Sequence, residues 1–235
     1  MKTSVKARQP TVVGTSPPLS DSRGCSGSLD NDVDLGIHQA HHRPHGPFLV
    51  RPEAQITGLS FIFGGYHRLG LCAARGQGGY TVYRDGHWAL AGTDLFYGDV
   101  CGDALPLIGY ENDGCPLAFG EDGLPAAAAR LGVPASLELI ALAPCAFAEP
   151  ADSGYRSLIP PEQLDVVARI AFGDDGAAAQ ARVMRGHAVM ASFRRGAGEV
   201  FNAGTTEWAH GLAARDPFVT RITRNVLQRF ASGAT

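Results

Sequence analysis

The run Leu137-Glu138-Leu139-Ile140-Ala141-Leu142-Ala143 limits the possible folds more than any other stretch of the chain. It is nearly continuous in apolar character, so it predicts a strand covered on both faces and therefore a layered fold with a sheet inside. Seven more short runs, each bounded by Gly, Pro or Asp, read as strands: 58–63, 80–83, 88–91, 106–110, 166–172, 189–193 and 200–203. The last two are joined by Arg194-Arg195-Gly196-Ala197-Gly198, a Gly-bearing turn that predicts a hairpin.

One helix is written clearly. Asp216-Pro217 supplies an N-cap and a proline at the first helical position. Phe218, Val219, Ile222, Val226, Leu227 and Phe230 then follow a 3.6-residue period, which predicts a terminal helix docked by that stripe. A shorter helix is expected over 177–184. Strands preceding a helix that closes the chain give an α/β or α+β layer fold, and the pattern alone leaves the two open.

Residues 1–46 have a different texture. They hold no aromatic residue and only scattered apolar ones, too little to offset the ordering entropy of the chain, so a disordered leader is expected there, with one folded unit over 47–235. His38, His41, His42 and His45 lie in this leader. A metal site would need a scaffold to fix their rings, which such a segment does not supply. Net charge is -3, with Lys+Arg 20 against Asp+Glu 23, which gives no electrostatic footprint for nucleic acid. No apolar run reaches the roughly 20 residues that span a bilayer, and no hydrophobic signal region follows Met1. The five cysteines (Cys25, Cys72, Cys101, Cys115, Cys145) form no Cys-x-x-Cys pair, so neither a disulfide framework nor a zinc ribbon is expected. A cytoplasmic protein with no nucleic-acid or membrane partner is the expectation.

Familiar catalytic motifs are missing: there is no Gly-x-Ser-x-Gly, phosphate loop, Gly-x-Gly-x-x-Gly or His-Glu-x-x-His. Gly76-Gln77-Gly78-Gly79 reads as a turn, and Cys115 lacks a partner motif that would make it a nucleophile. The densest polar cluster is Gly109-Tyr110-Glu111-Asn112-Asp113-Gly114, placed at the end of the 106–110 strand. Carboxylates there suit metal ligation or acid–base work; an acidic Asp-Gly turn is the alternative. A second cluster, Asn202-Ala203-Gly204-Thr205-Thr206-Glu207-Trp208, precedes the terminal helix, and its Glu207 and Trp208 read equally as cleft residues or as capping and packing residues.

At these clusters the chain resembles the N,N-dimethylformamidase large (beta) subunit family in its C-terminal domain. Pro52-Glu53-Ala54-Gln55-Ile56-Thr57-Gly58, His87-Trp88-Ala89-Leu90-Ala91-Gly92-Thr93, Leu107-Ile108-Gly109-Tyr110-Glu111-Asn112-Asp113-Gly114 and Val200-Phe201-Asn202-Ala203-Gly204-Thr205-Thr206-Glu207-Trp208 follow the family's order and spacing, as does Arg221-Ile222-Thr223-Arg224-Asn225-Val226-Leu227. The resemblance implies a class I glutamine-amidotransferase-like layered α/β sheet with added β-strands. It also implies iron-dependent hydrolysis of a small amide to carboxylate and amine. Two tyrosines and a glutamate hold that iron, and Glu111 matches the position of the glutamate.

By the same resemblance Glu207 is the candidate catalytic acid or base, and Asn112 and Trp208 are candidate substrate-binding residues. The family's two tyrosine motifs do not occur in this chain, whose tryptophans are Trp88 and Trp208. Tyr66, Tyr80 and Tyr110 are present but sit outside those motifs. The expectation is therefore a domain incomplete at its N-terminal side, resembling a C-terminal fragment with an incomplete iron site. A homo-oligomer or a small partner subunit would supply the rest. The alternative is a non-catalytic binding or structural module, or a pseudoenzyme of the same fold.

Overall fold

The computed structural model describes residues 52–71, 78–102, 105, 107–145 and 164–233, and only the backbone of 66–71 and Tyr110. The expected leader, its four histidines, Cys25, Cys72 and the start of the Gly-rich turn lie outside the described residues. The elements are, in order, α1 (Ala54–Thr57), β1 (Ser60–Leu71), β2 (Tyr80–Val82), a 3-10 turn (Trp88–Leu90), β3 (Val100–Cys101) and β4 (Gly109–Gly114). After these come β5 (Leu117–Phe119), β6 (Pro125–Ala127), β7 (Glu138–Cys145), α2 (Leu164–Phe172) and α3 (Ala177–Val183). The chain closes with β8 (Gly186–Arg195), β9 (Gly198–Asn202), α4 (Trp208–Ala213) and α5 (Pro217–Ala231).

The fold is mixed α/β. Its main sheet has five strands in the order β3-β2-β7-β8-β9, flanked by the two-stranded pairs β1-β4 and β5-β6. Every described ladder is antiparallel. As its apolar run requires, β7 lies inside the sheet, between β2 and β8. A register break between Leu139 and Ala141 interrupts its alternation. That bulge lets Ile140 and Ala141 join the same core cluster, together with Tyr80, Met190 and Ile222 of α5. Leu139 and Leu142 join the opposite cluster with Leu59, Val189 and Phe193. Met190, Val189 and Phe193 show the regular period-two alternation of β8. Each fully buried side chain of this size contributes roughly 1.5–3 kcal/mol before entropy.

Helix α5 starts as expected: the Asp216 carboxylate accepts from the amides of Phe218 and Val219 at 3.0 and 2.9 Å. Its stripe is only partly covered. Val219 and Ile222 are fully buried, whereas Leu227 is 63% and Phe230 44% exposed. The last turns rest on the Trp88 indole, against which Phe230 packs and over which Arg229 stacks.

Three expected strands differ. Residues 166–172 form helix α2, because Val167, Ala168 and Ala171 recur at helical spacing and all three are buried. Residues 88–91 form a 3-10 turn: the His87 ring accepts from the Ala89 amide, and Asn225 of α5 donates to the carbonyls of Ala89 and Ala91. The strand expected at 106–110 begins only at Gly109 and runs through the whole polar cluster to Gly114.

The β1-β4 pair crosses the start of β8 with the backbones nearly touching. A Cβ at Gly186 would fall on the Gly64 carbonyl, and one at Gly114 would meet the carbonyls of Phe63 and His187. A Cβ at Gly64 would fall on the Asn112 carbonyl. Gly64→Ala is therefore expected to cost about 3 kcal/mol or more in urea denaturation. Gly86→Ala, where a Cβ meets nothing within 4 Å, should stay within about 0.5 kcal/mol of the parent. Equal stabilities would show that the crossing is looser than described.

Candidate functional site

The chain after β9 is held at every step. Tyr80, fully buried, donates its phenol to the Ala203 carbonyl at 2.7 Å, and the Gly204 amide donates to the Asn202 side chain at 2.8 Å. Gly204 has φ of 67°, and a Cβ there would collide with the Val189 carbonyl, so glycine is required on both counts. Residues 204–206 then lie along β4 as a third strand. The Asp113 amide donates to Gly204 at 3.0 Å, the Thr206 amide donates to Glu111 at 3.1 Å, and Asn112 and Thr205 form a bridge. The Thr205 hydroxyl donates to the Leu107 carbonyl at 2.6 Å.

This third strand delivers Glu207. Its Cγ lies where a Cβ of Gly109 would be, so the Glu207 side chain crosses the Gly109 face of β4. Side chains two apart on a strand share a face, so Gly109, Glu111 and Asp113 form one face and Glu207 lies across its end. The Glu207 carboxylate is 13% exposed and stands 2.7 Å from Nδ1 of His210, one turn along α4. Glu111 is half-buried. Tyr66 stands opposite Glu111 in the β1-β4 ladder.

At the other end of the face sits Glu53. Its carboxylate accepts from the Ser60 hydroxyl at 2.6 Å and the Phe61 amide at 3.1 Å. Burial, reinforced by the charges of Glu53 and Glu111, pushes the Asp113 carboxyl from 3.8 up to about 7. A carboxyl raised in this way beside other carboxylates is chemically able to hold or release a proton near neutrality.

The other two candidates serve the packing behind this face. Asn112 is 1% exposed and donates to the Gly109 carbonyl at 2.7 Å, on the face of β4 opposite Glu111. Trp208 donates its indole N–H to Thr223 at 3.0 Å and packs into the α5 core cluster. Sequence reasoning missed Glu53 and His210 as participants. It held Asp113 among the carboxylates of the first polar cluster, and the period-two pattern Gly109-x-Glu111-x-Asp113 is what sets it on one face with Glu111. Cys115 is buried and its thiol is pushed up to about 12 by desolvation, which removes it as a nucleophile.

With the geometry in hand, the family model for N,N-dimethylformamidase beta subunit-like, C-terminal, matches residues 27–222. The chain belongs to this family. Comparison with curated proteins gives no significant match. The match covers both polar clusters and the third strand that joins them. No helix among the described residues is long and apolar enough to cross a membrane.

The described side chains do not by themselves assemble the iron site that the resemblance implies. No three His, Cys, Asp or Glu side chains converge on a metal position among the described residues. The Glu207 carboxylate is engaged by His210, and that of Glu53 by Ser60 and Phe61.

The raised Asp113 carboxyl has a measurable consequence for stability. The folded chain keeps this proton where the unfolded chain has lost it, so stability falls as pH rises from about 4 to about 7 and then levels off. Asp113→Asn should remove that slope, a difference of up to about 4 kcal/mol between pH 4 and pH 8 in denaturant titrations. An unchanged slope would place the Asp113 carboxyl in solvent.

Proposed function

We propose that this domain takes part in the hydrolysis of a small amide to carboxylate and amine, with the carboxyl face of β4 as its working surface. Membership of the dimethylformamidase-like family supports the reaction class. The observation that carries the assignment is the placement of Glu207 across Gly109, on the face that holds Glu111 and Asp113.

An amide is a poor electrophile with a poor leaving group, so its hydrolysis needs a base for the attacking water and an acid for the departing amine. Glu207, oriented by the 2.7 Å contact with His210, is assigned to the water. Asp113, which still holds its proton up to about pH 7, is assigned as the reserve of acid. Asn112 acts indirectly, by fixing the Gly109 carbonyl beneath Glu207. Trp208 seats α4 and with it His210.

Glu111 is proposed as the contribution of this chain to the family's iron site, with the remaining donors drawn from outside the described residues or from a partner subunit. The antiparallel five-stranded sheet is proposed as the added part of a glutamine-amidotransferase-like layered sheet, whose parallel portion would need crossover helices. A reducing, cytoplasmic setting is proposed as well, in keeping with the buried free thiol of Cys115.

A second reading, a non-catalytic binding module, draws on one observation. Neither of the two described cavities is lined by Glu111 or Glu207. Amine release from N,N-dimethylformamide, measured alongside iron content, separates the two readings. The chain alone is expected to carry iron well below one per molecule and to hydrolyse slowly, with Glu207→Gln lowering the rate roughly 100-fold. Stoichiometric, tyrosinate-coloured iron would contradict the incomplete site. A rate untouched by both Glu207→Gln and Glu111→Gln would favour the module.

A further inference from the structure

Away from the carboxyl face, a cavity of about 210 Å³ opens where β1, the β4–β5 turn, α3 and the start of β8 meet. Its floor is apolar, built by Ile62 and by the rings of Phe63 and Phe172, which meet edge to face at 6.2 Å. Arg182 and Arg185 also line it, and no carboxylate among the described residues does. The Arg182 guanidinium stacks 4.0 Å over the Phe172 ring, so its position at the cavity is fixed by packing. Neither arginine is paired with an acidic side chain among the described residues.

A cation near the end of α3 is favourable to the helix dipole, which by itself accounts for one arginine. Two arginines in the lining, one of them stacked over Phe172, with no counter-charge among the described lining residues, exceed that need. The remaining polar groups do not oppose an anion. Burial lowers the His187 pKa, so its ring is neutral at pH 7, and the Cys115 thiol keeps its proton.

We propose that this cavity binds a small organic carboxylate, its anionic end on Arg182 and Arg185 and its short apolar tail against Phe63 and Phe172. The planar fork of a guanidinium matches a carboxylate in a two-point hydrogen bond. The volume is below the 300–1,000 Å³ typical of pockets for drug-sized ligands, which restricts the ligand to a handful of heavy atoms. Inorganic phosphate would satisfy the guanidiniums but leave the aromatic floor unused.

Titration of sodium butyrate into the full chain at constant ionic strength, followed by amide NMR, tests this. Saturable shifts are expected at Leu117, Gly186 and His187, with no comparable shifts from butyramide. Arg182→Gln should weaken butyrate binding roughly tenfold or more. The side chain is exposed, so this variant should fold, which the rest of its spectrum reports directly. Equal responses to butyrate and butyramide, equal affinity for inorganic phosphate, or unchanged affinity in Arg182→Gln would each overturn the proposal. Glu207→Gln should leave butyrate binding intact, so this site and the amide-hydrolysis reading succeed or fail separately.

Discussion

Two backbone hydrogen bonds, from Asp113 to Gly204 and from Thr206 to Glu111, tie together segments nearly a hundred residues apart in sequence. A two-stranded ribbon such as β1-β4 is marginal alone, and the third strand at 204–206 gives β4 a partner on each edge. The arrangement is tolerant of little change, because it depends on positions where no side chain is allowed. Gly64, Gly114 and Gly186 permit the crossing over β8, Gly204 turns the chain beneath Val189, and Gly109 leaves room for Glu207. The same glycines that weaken β4 as a strand make it a platform.

Charge accounts for the rest of that platform. Carboxylates gathered on a partly buried face repel one another, and each needs either a donor or a proton. Glu53 takes the hydroxyl of Ser60 and the amide of Phe61, Glu207 takes His210, and Asp113 takes the proton. Asp113, held toward its protonated form by burial and by the charges of Glu53 and Glu111, is the kind of group that acid–base chemistry on an uncharged amide requires. The cavity beside α3 has the opposite character, with cations, neutral polar groups and aromatic rings in its lining. The two sites are chemically independent, although β1 borders both.

Much of the frame was legible in the residues. The apolar run 137–143 identified the interior strand, the Gly-bearing turn at 196–198 marked the β8-β9 hairpin, and Asp216-Pro217 marked the start of α5. What stayed hidden depended on tertiary contacts. Val166 and Val167 favour a strand by propensity, yet the segment packs as a helix, with Val167 and Ala168 clustered with Phe61 and Ala171 with Ile62 and Phe63. Gly109–Gly114 looks like a turn by composition, and becomes a strand only because β1 and 204–206 flank it. Glu111 and Glu207 stood out as polar residues in clusters. Glu53 did not, since its role depends on α1 folding back onto the start of β1. The exposure of Leu227 and Phe230 was equally unreadable, because periodicity records which face a helix offers and not how far its partner extends.

The central claim is that Glu207 shares the face of β4 that carries Glu111, lying directly over Gly109. NMR of the His210 imidazole in Gly109→Ala tests it without depending on turnover, since the substitution removes no functional group and Gly109 has an ordinary backbone conformation. The imidazole resonances should move toward those of Glu207→Gln while the remaining amide spectrum stays folded, because the new methyl group must displace the Glu207 side chain. A folded Gly109→Ala variant with His210 resonances identical to the parent would place Glu207 elsewhere and separate it from the carboxyl face.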